Sequence, residues 1–341
     1  MGCFIIAEAG VNHNGDVALA KELVHVAKEI GADAIKFQTF NAEKLVNKTA
    51  EKAHYQKTNT GNFESTQYEM LKSLELSIDD HYLLNDLAQS IGIEFMSTGF
   101  DEESVNFLVD LGIKRIKIPS GEITNYPYLE HVAATGLPLI MSTGMCDLNE
   151  VKNAVNIIRP YYSENLGEYL TLLHCTSNYP AAFSDVNLKA MQTLAQEFNL
   201  PVGYSDHTLG SLVSTLAVGL GAVVIEKHFT LDKNLPGPDH AASMVPEEMK
   251  FLIQSIKDTE VILGKSEKKP AENELAVRDL VRRSVTIKYD LPSGSTLNQD
   301  DLILLRPGHG ISPGDMPKIL GRKLVSDLKA GTTLLWEHLA G

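Results

Sequence analysis

Short apolar runs recur between residues 3 and 228, and polar stretches with helical spacing separate most of them. Each run has the length and composition of a buried parallel strand. The stretch 16–30 places Val17, Leu23 and Val26 on one face, as an amphipathic helix does. The eight predicted strands are 3–9, 34–39, 94–98, 115–119, 138–142, 170–175, 202–205 and 223–228.

Eight strands alternating with helices within about 250 residues predict an α/β fold, a TIM (β/α)8 barrel rather than an open doubly wound sheet. The segments 101–111 and 147–158 also fit helices, the second opened by Asp147 with Glu150 three residues later. Pro246 and Gly264 mark the two ends of the last barrel helix. Segment 41–65 is polar and irregular, and it fits either a surface loop or a lid over the active face.

The pattern changes after the barrel. We predict a catalytic barrel over 1–264, a polar linker over 265–282 and a small β-rich domain over 283–341. In the last domain, Asp290-Leu291-x-x-Gly294 is repeated 37 residues later as Asp327-Leu328-x-x-Gly331, which indicates internal pseudo-symmetry. A module of about 60 residues has a small core, so we expect it to lean on the barrel or on a partner subunit.

Composition narrows the class of protein. With 43% hydrophobic and 22% charged residues, the chain is typical of a globular protein. A net charge of −14 argues against nucleic acid or an anionic membrane as the main partner. Three cysteines without a CxxC motif indicate a reduced compartment. Neither a signal peptide nor a membrane span is evident, so we expect a soluble, cytoplasmic protein.

Polar side chains collect at the carboxyl ends of the predicted strands, where TIM barrels carry their catalytic residues. His207 and His228 end two consecutive strands, which lie about 5 Å apart, so both rings could share one metal ion. Each residue alone has a structural explanation: Asp206 could cap a helix, and Glu226 could pair with Lys227. Together, two lysines, several hydroxyls and two histidines predict metal-assisted chemistry on a phosphorylated, acidic substrate.

Eight short segments resemble the sialic acid synthase family. They occur in the same order as in that family and are spread over nearly the whole chain. The carboxyl-terminal unit, with Arg306-Pro307-Gly308, resembles the antifreeze-like SAF domain that follows the barrel in that family. The matching segments are Ile-Ile-Ala-Glu-Ala-Gly-Val-Asn-His-Asn-Gly (5–15), Lys-Phe-Gln-Thr (36–39), Lys-Ile-Pro-Ser-Gly-Glu (117–122), Ser-Thr-Gly-Met (142–145), His-Cys-Thr-Ser-Asn-Tyr-Pro (174–180), Gly-Tyr-Ser-Asp-His-Thr (203–208), Glu-Lys-His-Phe-Thr (226–230) and Gly-Pro-Asp-His (237–240).

The resemblance implies an enzyme that condenses phosphoenolpyruvate with an N-acylated mannosamine-type sugar and water. It implies a divalent metal on His207 and His228, with Mn²⁺ ahead of Mg²⁺ or Co²⁺. It also implies a domain-swapped homodimer in which Arg306 reaches the sugar from the other subunit. Glu8 would position groups near the reacting carbons. Glu122, Tyr179 and Asp239 would hold the sugar. The residues implied to hold phosphoenolpyruvate are Lys36, Gln38, Thr98, Lys117, Ser120, Ser177 and Ser205.

The acceptor sugar stays open. Ile-Pro-Ser-Gly-Glu-Ile-Thr-Asn and Gly-Pro-Asp-His also resemble synthases of legionaminic acid, whose acceptor is 2,4-diacetamido-2,4,6-trideoxymannose instead of N-acetylmannosamine. Arg282-Arg283 stands where sialic acid producers often have an aromatic residue, and Ser177 where some have Asn. Two rival functions also remain: a non-catalytic ice- or sugar-binding protein, and a divalent-metal aldolase acting on another phosphorylated sugar.

Overall fold

The computed structural model describes residues 2–60, 64–162 and 165–341. The chain divides into two compact units, Met1–Gly264 and Lys265–Gly341. Helix α14 (Glu272–Val281) occupies much of the stretch predicted as a linker. Among the described residues, no helix combines the length and the apolar composition needed to cross a bilayer.

The first unit is built on eight strands in the order β3-β2-β1-β8-β7-β6-β5-β4, and each hydrogen-bonded pair is parallel. Strands β3 and β4 lie side by side, which nearly closes the ring, and the predicted barrel is confirmed. The strands are β1 (Phe4–Gly10), β2 (Ala34–Thr39), β3 (Glu94–Gly99), β4 (Ile116–Ile118), β5 (Leu139–Ser142), β6 (Leu170–Cys175), β7 (Val202–Asp206) and β8 (Val224–His228).

Helices connect the strands, and several begin at a polar cap. The capping box of Asp147 and Glu150 forms as the sequence predicts. The helices of the first unit are α1 (Val17–Glu29), α2 (Ala42–Leu45), α3 (His54–Thr60), α4 (Gln67–Lys72), α5 (Ile78–Ile91), α6 (Glu102–Asp110), α7 (Tyr126–Ala134), α8 (Leu148–Ile158), α9 (Leu166–Tyr169), α10 (Phe183–Val186), α11 (Lys189–Phe198), α12 (Leu212–Gly219) and α13 (Pro246–Leu263).

The described part of segment 41–65 differs from the irregular loop expected there, because it contains α2 and α3. Polar caps explain α2 where apolar periodicity could not: the Asn41 side chain accepts from the Glu43 amide, and Glu75 accepts from the Ala42 amide at 2.7 Å. The segment also touches the loop that follows β8, since Asn59 Nδ2 donates to the Pro238 carbonyl at 2.6 Å.

The barrel has two apolar layers because successive strand side chains face opposite sides. Most buried residues form the layer between the strands and the surrounding helices. A smaller cluster fills the inside of the barrel, and above it the inward positions of the strands turn polar. The inner cluster consists of Ile6, Ala34, Met96, Ile140, Leu173 and Val224.

The second unit confirms the repeat seen in the sequence. Strands β9 (Ser284–Ile287) and β10 (Leu302–Leu305) pair antiparallel, and α15 (Met316–Ile319) follows them. Asp290 Oδ1 accepts from the Ala330 amide at 2.9 Å, and Asp327 Oδ1 accepts from the Ser293 amide at 2.7 Å. Asp327 lies 37 residues after Asp290, and Ala330 lies 37 residues after Ser293. The two hydrogen bonds are therefore equivalent under the pseudo-two-fold of the repeat.

Candidate active site

A cavity of about 200 Å³ opens at the carboxyl ends of the barrel strands. Residues from all eight strands, or from the turns just after them, line it, which is the arrangement that catalytic TIM barrels use. The structure brings together here eleven of the residues predicted for the site. They are Glu8, Lys36, Gln38, Thr98, Lys117, Ser120, Ser177, Tyr179, Ser205, His207 and His228.

Two buried lysines form the charged floor of the cavity. Lys36 Nζ lies 2.7 Å from Glu8 Oε2 and 3.0 Å from Thr98 Oγ1. It also lies 3.5 Å from Glu226 Oε2. Lys36 is 3% exposed, so its ammonium depends on these carboxylates for the charge balance that water would otherwise supply.

The second lysine shares one of the same carboxylates. Lys117 Nζ donates to Ser142 Oγ at 2.7 Å and lies 3.6 Å from Glu226 Oε1. Ser205 Oγ donates to that same carboxylate oxygen at 2.8 Å. Glu226 therefore bridges the two ammonium groups and completes a neutral set of two lysines and two glutamates.

Burial and neighbouring charges shift the pKa values of these two glutamates and two lysines in opposite directions. Burial raises the pKa of Glu8 even though Lys36 opposes it. Burial would also raise the pKa of Glu226, but Lys117 and Lys36 together hold it below its usual range. Burial lowers the pKa of Lys117, whereas the two glutamates outweigh burial at Lys36 and raise its pKa. Of the two carboxylates, Glu8 is the one that takes up a proton more readily.

The pairing of Glu226 with Lys227 considered from the sequence is wrong. Lys227 Nζ instead lies 3.0 Å from Asp206 Oδ2, on the outer side of the barrel. Neighbouring residues of a strand point to opposite faces, so Glu226 and His228 face inward while Lys227 faces outward. Asp206 likewise faces outward, where it accepts from the amide of Thr208 at 2.8 Å.

The two histidines lie with their ring centroids 5.5 Å apart. His207 Nδ1 lies 2.6 Å from the Thr176 carbonyl, which can only accept, so this nitrogen carries the proton and Nε2 keeps its lone pair. Nε2 lies 2.9 Å from the Tyr179 hydroxyl. His228 Nδ1 is buried without a hydrogen-bond partner among the described residues. Burial lowers the pKa of both rings, to about 4 for His207, so both are neutral near pH 7.

Two neutral imidazoles suit a divalent cation such as Mn²⁺ or Co²⁺. Within the described ranges, no group of three or more His, Cys, Asp or Glu side chains is placed to hold a metal. A cation on this histidine pair would thus take its other ligands from water or substrate. The donor set fits the metal that the sequence led us to expect.

Hydroxyl and thiol groups crowd around Gly144. Its amide donates to Ser120 Oγ at 2.9 Å. A Cβ on this residue would lie 2.3 Å from Ser177 Oγ and 2.8 Å from Cys175 Sγ, so only glycine lets these groups meet. A cluster of small donors next to two lysines is a suitable cradle for a phosphate or carboxylate group.

Sequence reasoning left several lining residues out of the site. Glu226 and Ser142 face inward at strand ends, and that position could have identified them as site residues. Phe100, Pro119 and Gly121 follow the ends of β3 and β4, where loop geometry decides which side chain reaches the cavity. The omitted residues are Phe100, Pro119, Gly121, Ser142, Met145, Cys175 and Glu226.

Three predicted residues lie outside the cavity lining. Glu122 is half-buried and accepts from Asn125 Nδ2 at 2.6 Å. Asp239 lies in the loop after β8, and burial raises its pKa to about 6. Arg306 is exposed and belongs to the second unit.

Comparison with known proteins agrees with this geometry. The NeuB family model matches residues 23–268, and the SAF domain model matches residues 282–340. The chain belongs to the NeuB family. The resemblance to sialic acid synthases drawn from the sequence is thereby confirmed.

Relatives within the NeuB family span nearly the whole chain. An N,N'-diacetyllegionaminic acid synthase from Legionella pneumophila is 69% identical over 99% of this chain and 95% of its own length. Another from Campylobacter jejuni is 47% identical over 95% of this chain and 96% of its own. An N-acetylneuraminic acid synthetase from Leptospira borgpetersenii, solved with citrate, is 36% identical with a TM-score of 0.71, covering 81% of this chain and 90% of that one.

Proposed function

We propose that this NeuB-family chain condenses phosphoenolpyruvate with a 2,4-diacetamido-2,4,6-trideoxymannose and water, forming a nine-carbon 2-keto sugar acid and phosphate. The observation that carries the proposal is the 69% identity to a diacetyllegionaminic acid synthase across 99% of the chain. N-Acetylmannosamine is the second candidate acceptor, supported by the 36% identity to an N-acetylneuraminic acid synthetase. Both relatives are named for the synthesis of an acylated sugar acid.

The cavity supplies the groups that this reaction needs. Lys36 and Lys117 bind the carboxylate and phosphate of phosphoenolpyruvate, together with the hydroxyls around Gly144. The enol carbon attacks the open-chain sugar aldehyde and forms the new C–C bond. Positive charge develops at the neighbouring carbon, and water adds there and gives one proton to the alkoxide formed from the aldehyde. The C–O bond to phosphate then breaks, and the added hydroxyl passes its proton to the phosphate and becomes the keto oxygen. The two lysines stabilise the departing phosphate, which takes both electrons of that bond.

We assign a divalent cation to His207 and His228. Bound there, it supplies Lewis-acid polarisation of the aldehyde and lowers the pKa of water. Mn²⁺ is our first choice and Mg²⁺ or Co²⁺ the alternatives, because two imidazoles leave most ligand positions to oxygen donors. Tyr179, whose hydroxyl meets His207 Nε2, and Asp239 are assigned to the sugar.

We further propose a domain-swapped homodimer in which Arg306 contacts the acceptor bound by the partner. The exposed position of Arg306 and the small core of the second unit support this. Arg306→Ala and His207→Ala should each be inactive alone. Mixing and re-equilibrating them should restore part of the activity if sites are shared, whereas a mixture as inactive as its components would contradict sharing.

The decisive test of the function is phosphate release from phosphoenolpyruvate in metal-supplemented assays. We expect release with the diacetamido-trideoxy sugar and a kcat/KM lower by at least tenfold with N-acetylmannosamine, about 1.4 kcal/mol of discrimination. The reverse order would assign the acceptor to N-acetylmannosamine. Release with neither sugar would refute the function, and a requirement for pyruvate as donor would indicate an aldolase instead.

A further inference from the structure

A buried ion pair stands directly behind the two histidines. Asp206 and Lys227 face each other in the register between β7 and β8, on the outer side of the barrel. Their side chains are 0% and 1% exposed, respectively. Two residues earlier on that face, the same two strands pair Tyr204 with Ile225, and both belong to the hydrophobic core. Because a buried ion pair is seldom more stabilising than an apolar pair, stability alone does not explain the change in chemistry.

Every polar atom of this pair is engaged. Asp206 Oδ1 accepts from the amide and the hydroxyl of Thr208, at 2.8 and 2.7 Å. Asp206 Oδ2 accepts from Ser214 Oγ in the first turn of α12 and from Lys227. Lys227 Nζ also donates to the carbonyl of Thr208. The network thus joins the end of β7, the loop after it, helix α12 and strand β8.

The network encloses the backbone of His207. Asp206 and Thr208 are its two chain neighbours, and both are fixed by the network. Between β7 and β8 the paired register ends at Asp206 and Lys227, so no ladder between these strands holds His207 against His228. The ion pair is the last link across the two strands before the rings.

We propose that Asp206 and Lys227 are positioning residues that set the separation of the His207 and His228 imidazoles for a divalent cation. This inference rests on the proposed function, which assigns the cation to those rings. Residues that hydrogen-bond directly to metal ligands commonly change metal affinity by about 10- to 100-fold when replaced, and we expect the lower end of that range from a pair that acts through the backbone of His207.

The test measures Mn²⁺ binding by titration calorimetry on metal-stripped full-length protein without substrates, alongside the unfolding temperature. The double variant Asp206→Asn/Lys227→Met removes both charges together and leaves none uncompensated. We expect an unfolding temperature within a few degrees of the wild type and Mn²⁺ affinity at least tenfold weaker. The matched control is Glu94→Gln/Arg115→Met, which removes the ion pair at the opposite end of the barrel strands and should leave Mn²⁺ affinity unchanged.

Wild-type Mn²⁺ affinity in the folded double variant would overturn the inference and leave a purely structural pair. If the double variant does not fold, Ser214→Ala decides, because it removes one bond to Asp206 without stranding a charge. We expect it to weaken Mn²⁺ binding severalfold, and unchanged affinity would overturn the inference. Failure of the wild type to bind Mn²⁺, Mg²⁺ or Co²⁺ would refute the metal assignment itself and this inference with it, a result distinct from the others.

Discussion

The Glu226 carboxylate is shared by two buried ammonium groups, those of Lys36 and Lys117. Glu226→Gln keeps the shape and the bond from Ser205 but leaves Lys36 and Lys117 with only Glu8 between them. Breaking a buried pair costs roughly 3–5 kcal/mol, so we expect a clear fall in the unfolding temperature. Inorganic phosphate should restore more stability to this variant than to the wild type, because it supplies the missing negative charge. Thermal unfolding with and without phosphate measures this.

The control for Glu226→Gln is Glu94→Gln, which strands Arg115 far from the cavity. Arg115 Nε lies 2.7 Å from Glu94 Oε1, so this pair is also lost, and it lies at the opposite end of the barrel strands from the lysine pair. Its unfolding temperature should fall with no extra gain from phosphate. Equal gains in both variants would contradict the assignment of the lysine pair as an anion site.

Asp239 predicts a pH dependence of stability. Burial raises its pKa from 3.8 to about 6, so the folded protein binds this proton more tightly than the unfolded chain. Stability from this group is fully present below pH 3.8 and is lost as the pH rises to about 6. At neutral pH the ionised group costs about 3 kcal/mol. Asp239→Asn should thus raise the unfolding temperature at pH 7.5 by more than at pH 5; an equal effect at both would refute the shift.

Most site residues found from the sequence stand inward at the ends of strands, and Ser120, Ser177 and Tyr179 lie in the turns just after them. Period-two alternation placed Lys36 with Gln38 correctly, and the same rule applied to β8 separates Glu226 from Lys227. Adjacency in sequence misled the pairing there because an ion pair seemed available one residue away. Met145 was beyond reach, since the turn after β5, with Met145 at φ +64°, decides what faces the cavity. Cys175 ends β6 two residues after the inward-facing Leu173, so the same alternation could have identified it.

At the scale of elements, the two turns of the second unit offer a matched experiment. Gly294 and Gly331 occupy equivalent positions with φ of +80° and +84°, and a Cβ on either would meet nothing within 4 Å. The cost of alanine there is backbone strain alone, about 1–2 kcal/mol. We expect Gly294→Ala and Gly331→Ala to lower the free energy of unfolding equally, as measured by urea denaturation.

Gly314 provides the comparison for these turns. Its φ is not left-handed, and an added Cβ would lie 3.7 Å from Ser312 Oγ, an ordinary contact. Gly314→Ala should thus change stability by less than about 0.5 kcal/mol. A large difference between the two symmetric variants would contradict the pseudo-two-fold derived from the repeat.

Helices and strands with a clear hydrophobic periodicity were predicted closely, and those without it were not. The helix expected over 147–158 starts at its Asp147 cap, as the sequence indicates. Helix α2 has only four residues, and its caps come from Asn41 and from Glu75, far along the chain. Helix α14 begins after Pro270 in a charged stretch that resembles a linker in composition. Helix α2 is too short to carry the apolar repeat on which sequence reasoning depends. Helix α14 has Val277, Leu280 and Val281 at helical spacing, but the charged residues around them resemble a linker.

At the scale of the whole molecule, the alternation of strands and helices was enough to predict the barrel. Order along the chain determined which strands would be neighbours, because consecutive parallel strands usually lie side by side. What could not be predicted is that the charges of two lysines and two glutamates cancel at the floor of the cavity. It depends on a chain of three ion pairs between residues of four strands: Glu8 of β1 with Lys36 of β2, Lys36 with Glu226 of β8, and Glu226 with Lys117 of β4.

That neutral floor leaves the net charge of −14 to act on an approaching anion. Phosphoenolpyruvate is repelled at long range and is attracted only once it nears the lysines. Because the screening length falls to about 8 Å at 0.15 M salt, added salt should remove the repulsion before it weakens the buried contacts. We expect kcat/KM for phosphoenolpyruvate to rise about twofold between about 0.01 and 0.15 M KCl, with metal held saturating. The uncharged acceptor sugar is the internal control, since its KM should not change; a fall in kcat/KM for phosphoenolpyruvate over the same range would mean that the local positive field of the lysines dominates capture.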